Sequence, residues 1–181
     1  GLCSDLSRIL QGVGRGLLGA RVLILGAGGA AQGVISPLNH AQVKSIAMWN
    51  RTGSKVQQLK DIFPVIEPLA TKDLSNQPPF DLIINATASG LIDASPIEKI
   101  TLQSIADRNT VIYDMVYGNT ETVFVRWAKQ HGASLALDGL GMLVEQAAES
   151  FYIWRGVRPQ TAGVREALRS RLQQQSMDDA H

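Results

Sequence analysis

Residues 22–33 read VLILGAGGAAQG, four apolar residues running straight into a cluster of glycines and alanines. The apolar run reads as a buried strand and the small residues as the opening of a helix. Two explanations fit a turn this bare. One is a nucleotide pyrophosphate lying against main-chain N–H groups; the other is a tight turn where a helix packs closely on a sheet. Gly26, Gly28 and Ala31 match the form G-x-G-x-x-A, with Gly29 and Gly33 as additional glycines. In that form the first glycine permits the turn and the second lets a pyrophosphate approach the backbone. Ala31 or Gly33 lets the helix lie close to the strand, and the helix N-terminus offers free N–H donors. The strand–turn–helix context is the one this mechanism requires, which favours the dinucleotide reading over packing alone.

Outward from this stretch, apolar runs alternate with amphipathic ones. Strands are expected at residues 21–25, 44–49, 64–67, 81–85, 110–114 and 134–137, and helices at 29–40, 54–63, 71–74, 121–131 and 141–155. Gly132 and Gly156 stand where helices stop. Near-continuous apolar strands separated by helices imply an α/β fold: a doubly wound, mainly parallel, Rossmann-like sheet with flanking helices. Residues 1–18 and 160–174 read as helices outside the alternation, with Leu2, Leu6, Ile9 and Leu10, then Val164, Leu168 and Leu172, at helical spacing. The expected division is an outlying or hinge helix at 1–18, a dinucleotide-binding domain at 19–158, a C-terminal outlying helix at 159–175 and a fraying tail at 176–181.

Composition narrows the classes. The chain has 181 residues, enough for one domain with a proper core, and 45% hydrophobic against 18% charged residues. A net charge of +1 without a dense basic run argues against nucleic-acid binding. Cys3 is the single cysteine, so no internal disulfide or cysteine-based metal site is expected, and the usage fits a cytoplasmic protein. No apolar stretch approaches the roughly 20 residues needed to span a bilayer, and no secretory signal pattern opens the sequence. The chain begins at Gly1 rather than methionine, so a segment upstream is expected.

The dinucleotide can be narrowed further. In this fold the end of the second strand faces the adenosine ribose, where an Asp or Glu binds the 2′-hydroxyl of NAD. Here that position reads NRTGSK, residues 50–55, with no acid. Arg51 can stack on adenine and bind a 2′-phosphate, Thr52 adds a hydroxyl, and Lys55 adds a cation one helical turn on. Two cations without a carboxylate favour NADP. The alternative is that Asn50 and Thr52 cap the following helix while Arg51 and Lys55 are merely solvated; the capping itself is expected in either case, since the two roles do not compete.

Three further motifs fall at the carboxyl ends of expected strands, where open α/β sheets bind ligands: NATASG at 85–90, YDMVY at 113–117 and DGLGMLVEQAA at 138–148. Each alone reads as a turn, with Asn85 and Ser89 able to satisfy loop amides; together they outline one crevice. In this order and spacing, GAGGAAQG, NRTGSK, NATASG, YDMVY and DGLGMLVEQAA resemble the cofactor domain of the shikimate dehydrogenase family, from about Gly1 through Pro159. The resemblance implies reduction of 3-dehydroshikimate to shikimate with NADPH, on the route to aromatic amino acids. Carried over position by position, Gly26, Ala27, Gly28, Gly29 and Ala30 would hold the pyrophosphate. Asn50, Arg51, Thr52, Gly53, Ser54 and Lys55 would hold the 2′-phosphate end. Thr87 and Ser89 would line the crevice, and Met115, Gly139 and Met142 would lie near the nicotinamide. Tyr117 and Gln146 would reach the substrate, or serve as helix-packing polar groups instead.

The sequence departs from the family at two points. Lys55 replaces the usual arginine, keeping the charge and losing the planar fork, which softens NADP preference. The family's N-terminal substrate domain, with its catalytic lysine and aspartate, has no counterpart among these residues, so no catalytic residue is assigned. His40, His131 and His181 match no catalytic motif. The chain alone is accordingly expected to be inactive. Rival readings are a non-catalytic NADP-binding module, a quinate/shikimate enzyme using NAD, and an amino-acid or tetrahydrofolate dehydrogenase of similar fold.

Overall fold

The apolar runs become six short strands: β1 (Arg21–Leu25), β2 (Ser45–Trp49), β3 (Ile66–Pro68), β4 (Leu82–Asn85), β5 (Val111–Asp114) and β6 (Leu135–Leu137). A computed structural model describes residues 1–87 and 102–178. In it the strands form one sheet in the order β3-β2-β1-β4-β5-β6, and every neighbouring pair is parallel. The chain reverses its direction of travel across the sheet between β1 and β4, the switch point where such sheets open a crevice.

Side chains alternate along each strand, so the sheet feeds two cores. Val22, Ile24, Ile46, Met48, Leu82, Ile84, Val111 and Tyr113 face one layer, which holds α1 (Leu2–Gly12), α2 (Gly29–His40) and α3 (Gly53–Ile62). Leu23, Leu25, Ala47, Trp49, Ile83, Ile112 and Ala136 face the other, with Leu74 of α4 (Thr71–Leu74), a 3-10 turn at Leu102–Ser104 and α5 (Val123–Gln130). Both faces being covered explains why the strands read as unbroken apolar runs. Each fully buried Leu or Ile contributes about 1.5–3 kcal/mol relative to exposure.

The last two helices are α6 (Leu140–Arg155) and α7 (Ala162–Asp178). Gly156 closes α6 in the left-handed region at φ 70°, and Gly132 ends α5 at φ 89°, as the sequence leads one to expect. Several boundaries differ. The first helix stops at Gly12 rather than running to 18, because Gly14 takes φ 72° and the Arg15 N–H turns back to the Leu10 carbonyl at 2.8 Å. β3 begins two residues late, since the Ile66 N–H closes a turn onto Phe63 at 3.1 Å. α5 starts at Val123 because Thr122 caps it, accepting from the Val125 N–H. α7 runs on to Asp178, through the first half of the stretch expected to fray.

α1 is not peripheral. Leu2, Leu6, Ile9 and Leu10 are buried in the same core as β1, and the helix packs along α6. α7 instead attaches largely through polar contacts. Glu145 of α6 is buried and accepts from Thr161 Oγ1 at 2.6 Å and from Arg165 at 3.0 Å. The exposed apolar surface concentrates on the end of α6, at Phe151, Tyr152, Ile153 and Trp154, rather than on α1. No helix among the described residues is long and apolar enough to cross a membrane.

Candidate functional site

The glycine turn leaves β1 at the switch point. Gly26 takes φ 112°, and its N–H donates to the Trp49 carbonyl at the end of β2 at 2.7 Å. A Cβ there would stand 3.0 Å from the Ala86 carbonyl and 3.1 Å from the Thr87 methyl, so conformation and close approach both demand glycine. Gly28 and Gly29 are different. A Cβ on either would meet nothing within 4 Å, and Gly28, Gly29 and Ala30 are exposed. Gly28 is the N-cap of α2, and no side chain caps the helix there, so its first N–H groups lack a capping side-chain acceptor. Ala31, fully buried, makes the close helix–sheet contact; Gly33 is exposed with nothing near it.

After β2, Arg51, Thr52, Gly53, Ser54 and Lys55 are all exposed, Arg51 and Thr52 before α3 and Gly53, Ser54 and Lys55 in its first turn. The expected capping by Asn50 and Thr52 is corrected here. Thr52 is the N-cap residue but makes no side-chain cap bond, and the Asn50 amide donates to the Thr52 carbonyl at 3.0 Å instead. Asn50 shapes the loop, since its amide is taken up by a carbonyl two residues on.

The ends of β4 and β5 are joined by buried polar groups. Asn85 donates through Nδ2 to Asp114 Oδ1 at 3.0 Å and accepts from Thr87 N–H and Oγ1 at 3.1 and 2.7 Å. Asp114 also accepts from Thr122 Oγ1 at 2.6 Å and from the Val116 N–H at 3.2 Å. Burial pushes the Asp114 carboxyl above its ordinary value, opposed by these three hydrogen bonds and assisted by the charge of Asp138.

The turn from β6 into α6 closes the row. The Gly139 N–H donates to the Val116 carbonyl at 3.0 Å, and a Cβ on Gly139 would lie 2.7 Å from the Met115 carbonyl carbon. The first N–H groups of α6 are satisfied from outside the helix: Leu140 donates to Asp138 Oδ1 and Met142 to Tyr113 Oη, both at 3.3 Å. Arg169 of α7 pairs with Asp138 and reaches the Gly118 carbonyl, fastening both loops. Tyr113 donates to Asp5 of α1 at 2.8 Å; burial first, then the Asp5 carboxylate, raise its phenol well above the ordinary value, so it stays a donor.

The sheet order therefore brings Gly26 to Ala30, Asn50 to Lys55, Thr87, Met115, Tyr117, Gly139 and Met142 to one edge, with direct contacts between neighbouring loops. Met115 and Met142 are partly buried, and Tyr117 is 42% exposed. Gln146 is exposed on α6 beside Gly1. Ser89 lies outside the described residues. His40 and His131 each turn Nδ1 to a carbonyl of their own last helical turn, both at 2.8 Å. No group of three or more His, Cys, Asp and Glu suited to a metal occurs among the described residues.

Sequence reading missed the Asn85–Asp114–Thr122 network and the Asp5–Tyr113 pair. One signal was available: two otherwise apolar strands, LIIN and VIYD, each end on a buried polar residue.

Comparison with known proteins identifies the family. The family described as Shikimate / quinate 5-dehydrogenase matches residues 8–116, and the Shikimate 5'-dehydrogenase C-terminal domain matches 139–169. The shikimate dehydrogenase (NADP(+)) of Vibrio campbellii is 46% identical over 160 residues, covering 88% of this chain and 57% of that protein. The enzyme of the same name from a Janthinobacterium is 47% identical over 173 residues, covering 95% and 61%. Among solved structures, the shikimate 5-dehydrogenase of Thermus thermophilus in complex with NADP(H) and shikimate superposes with a TM-score of 0.73 at 29% identity, over 93% of this chain and 61% of that one. The chain thus spans about three fifths of the length of these relatives. With a family match over residues 8–116, the chain belongs to the shikimate/quinate 5-dehydrogenase family.

Proposed function

We propose that this chain is the NADP(H)-binding unit of a shikimate dehydrogenase, with residues 19–158 as the binding domain. The observation that carries the reading is the pairing of two exposed features on one sheet edge. One is the open glycine turn at the start of α2; the other is the acid-free entry into α3, which presents Arg51 before the helix and Lys55 in its first turn. The first fits a pyrophosphate, because neither Gly28 nor Gly29 puts an atom where phosphate oxygens would approach the α2 N–H groups. The second fits a 2′-phosphate, which a guanidinium binds through two parallel hydrogen bonds and an ammonium as a point charge.

When bound, the reduced nicotinamide supplies hydride to the carbonyl carbon of 3-dehydroshikimate. The residues of this chain position and shield. Thr87, held by Asn85, lines the crevice beside the glycine turn. Met115, Gly139 and Met142 form its far wall, where half-buried methionine side chains exclude water from the reacting face. Tyr117 and Gln146 offer hydroxyl and amide groups that can both donate and accept, suited to a polyhydroxylated carboxylate. No side chain here is assigned to the proton transfer at the substrate oxygen. We infer that this step, and turnover of shikimate, need a substrate-holding segment with the family's lysine and aspartate.

Parallel calorimetric titrations with NADP and NAD test the reading. A preference of about tenfold or more for NADP is expected from one well-bound phosphate. Equal affinities would overturn the cofactor assignment, and no binding of either would overturn the binding role. Shikimate oxidation by this chain alone, at any rate above background, would overturn the division of labour.

A further inference from the structure

Asp5, whose bond to Tyr113 ties α1 to the site, is a buried carboxylate, 1% exposed. Three residues converge on it. Its Oδ2 accepts from Tyr113 of β5 at 2.8 Å, and its Oδ1 accepts from Arg8 at 2.5 and 3.1 Å. Gly141 of α6 lies so close that any Cβ would overlap the carboxylate. The chain of contacts then continues, because the Tyr113 oxygen that donates to Asp5 accepts from the Met142 N–H.

The first turn of α6 needs such help. A helix begins with N–H groups that have no intrahelical acceptor, and Gly139, the N-cap, offers no side chain to take them. Leu140 finds Asp138, and Met142 finds Tyr113. A phenol that donates to a carboxylate is polarised into a better acceptor, so the bond to Met142 gains from Asp5. The negative charge also sits at the positive end of the helix dipole. Arg8 is half exposed and balances the buried charge from the solvent side.

We propose that Asp5 is a positioning residue for the nicotinamide end of the crevice: through Tyr113 it fixes the first turn of α6, and with it Gly139 and Met142. This rests on the cofactor reading above. Asp5 touches neither cofactor nor substrate and acts only through the helix. α1 is thus a brace for the site as well as a cover for the sheet.

The test compares ligands that reach different ends of the crevice. Asp5→Asn and Tyr113→Phe are titrated with NADP and with adenosine 2′,5′-bisphosphate, which lacks the nicotinamide half. Both variants are expected to bind the bisphosphate as the unmodified chain does, and NADP about tenfold more weakly. The reduced cofactor's nicotinamide fluorescence should change less on binding. The double variant should lose no more than the worse single one, because the two side chains act as one unit. Equal weakening of both ligands would overturn the proposal in favour of general destabilisation, as would unchanged NADP affinity in Tyr113→Phe, the milder variant should Asp5→Asn not fold. An unmodified chain that binds the bisphosphate as tightly as NADP would overturn it while leaving the adenosine end intact. If the unmodified chain binds neither ligand, the cofactor reading fails first.

Discussion

At one end of the crevice, Arg51, Thr52, Gly53, Ser54 and Lys55 stand exposed where the chain enters α3, on the same sheet edge as the open glycines of α2. At the other end, Gly139 is wedged against Met115, Asp114 is sealed under Asn85 and Thr122, and Tyr113 bridges α1 to α6. The first end is read as binding the phosphates and adenosine, the second the nicotinamide. Their difference separates two tasks. Phosphates are bound by charge and free N–H groups, which need solvent-accessible residues and little support. A nicotinamide ring must be held at a fixed distance and orientation, which needs a wall whose own parts cannot move.

The largest expected effect tests that separation with two glycines. In Gly139→Ala the new Cβ is driven onto the Met115 backbone, which has no flexible end to give way, so a loss of about 3 kcal/mol is expected in a urea melt. Gly29→Ala places the same methyl in open space at the first residue of a helix, and stability should stay within about 0.5 kcal/mol. Its cost is expected on NADP affinity, because on the proposed reading the methyl enters the space left for phosphate. Should Gly139→Ala prove as stable as Gly29→Ala, the two ends do not differ in rigidity.

Arg51→Ala sharpens the same contrast from the exposed end. NADP affinity should fall about tenfold while NAD affinity and the melting temperature stay put. Arg51 makes no hydrogen bond or ion pair with other described residues, so its loss removes no such contact within the fold. An equal loss for NAD would move Arg51 from the 2′-phosphate to the adenine ring.

The contrast also sets what was legible in the sequence. The sheet was legible because strands covered on both faces have to be apolar throughout, and five of the six expected runs end on the residue where the strand ends. β3 was misplaced because Pro64 and Val65 look strand-like, whereas a turn onto Phe63 consumes them. The exposed end of the crevice was legible because its chemistry is local: glycines within one turn, and Arg51 and Lys55 four residues apart at the entry into α3. The buried end is assembled from pairs far apart in the chain. Asp5 meets Tyr113 across 108 positions, and Asn85 meets Asp114 across 29. No spacing rule reaches that far. Even the helix cap expected at Asn50 failed locally, because the side chain bonded a carbonyl rather than an N–H.

The smallest effect expected here concerns the floor of the buried end. Burial raises the Asp114 carboxyl above its ordinary 3.8, so the folded chain holds this proton at pH values where the unfolded chain has released it. As pH rises from 3.8 through the folded value, the unfolded state binds fewer protons, and the stability contributed by this group falls. Asp114→Asn keeps the shape and removes the titration. Its stability relative to the unmodified chain, measured by urea melts across that window, should climb with pH and then level off. The amplitude is small because Thr122, Val116 and Asn85 all donate to the carboxylate and hold back the rise. The opposite slope, with the unmodified chain gaining on the variant as pH increases, would mean that those three donors outweigh burial. Asp114 would then be a stabilised anion under the nicotinamide end, and the wall of the crevice would be held by charge rather than by close packing alone.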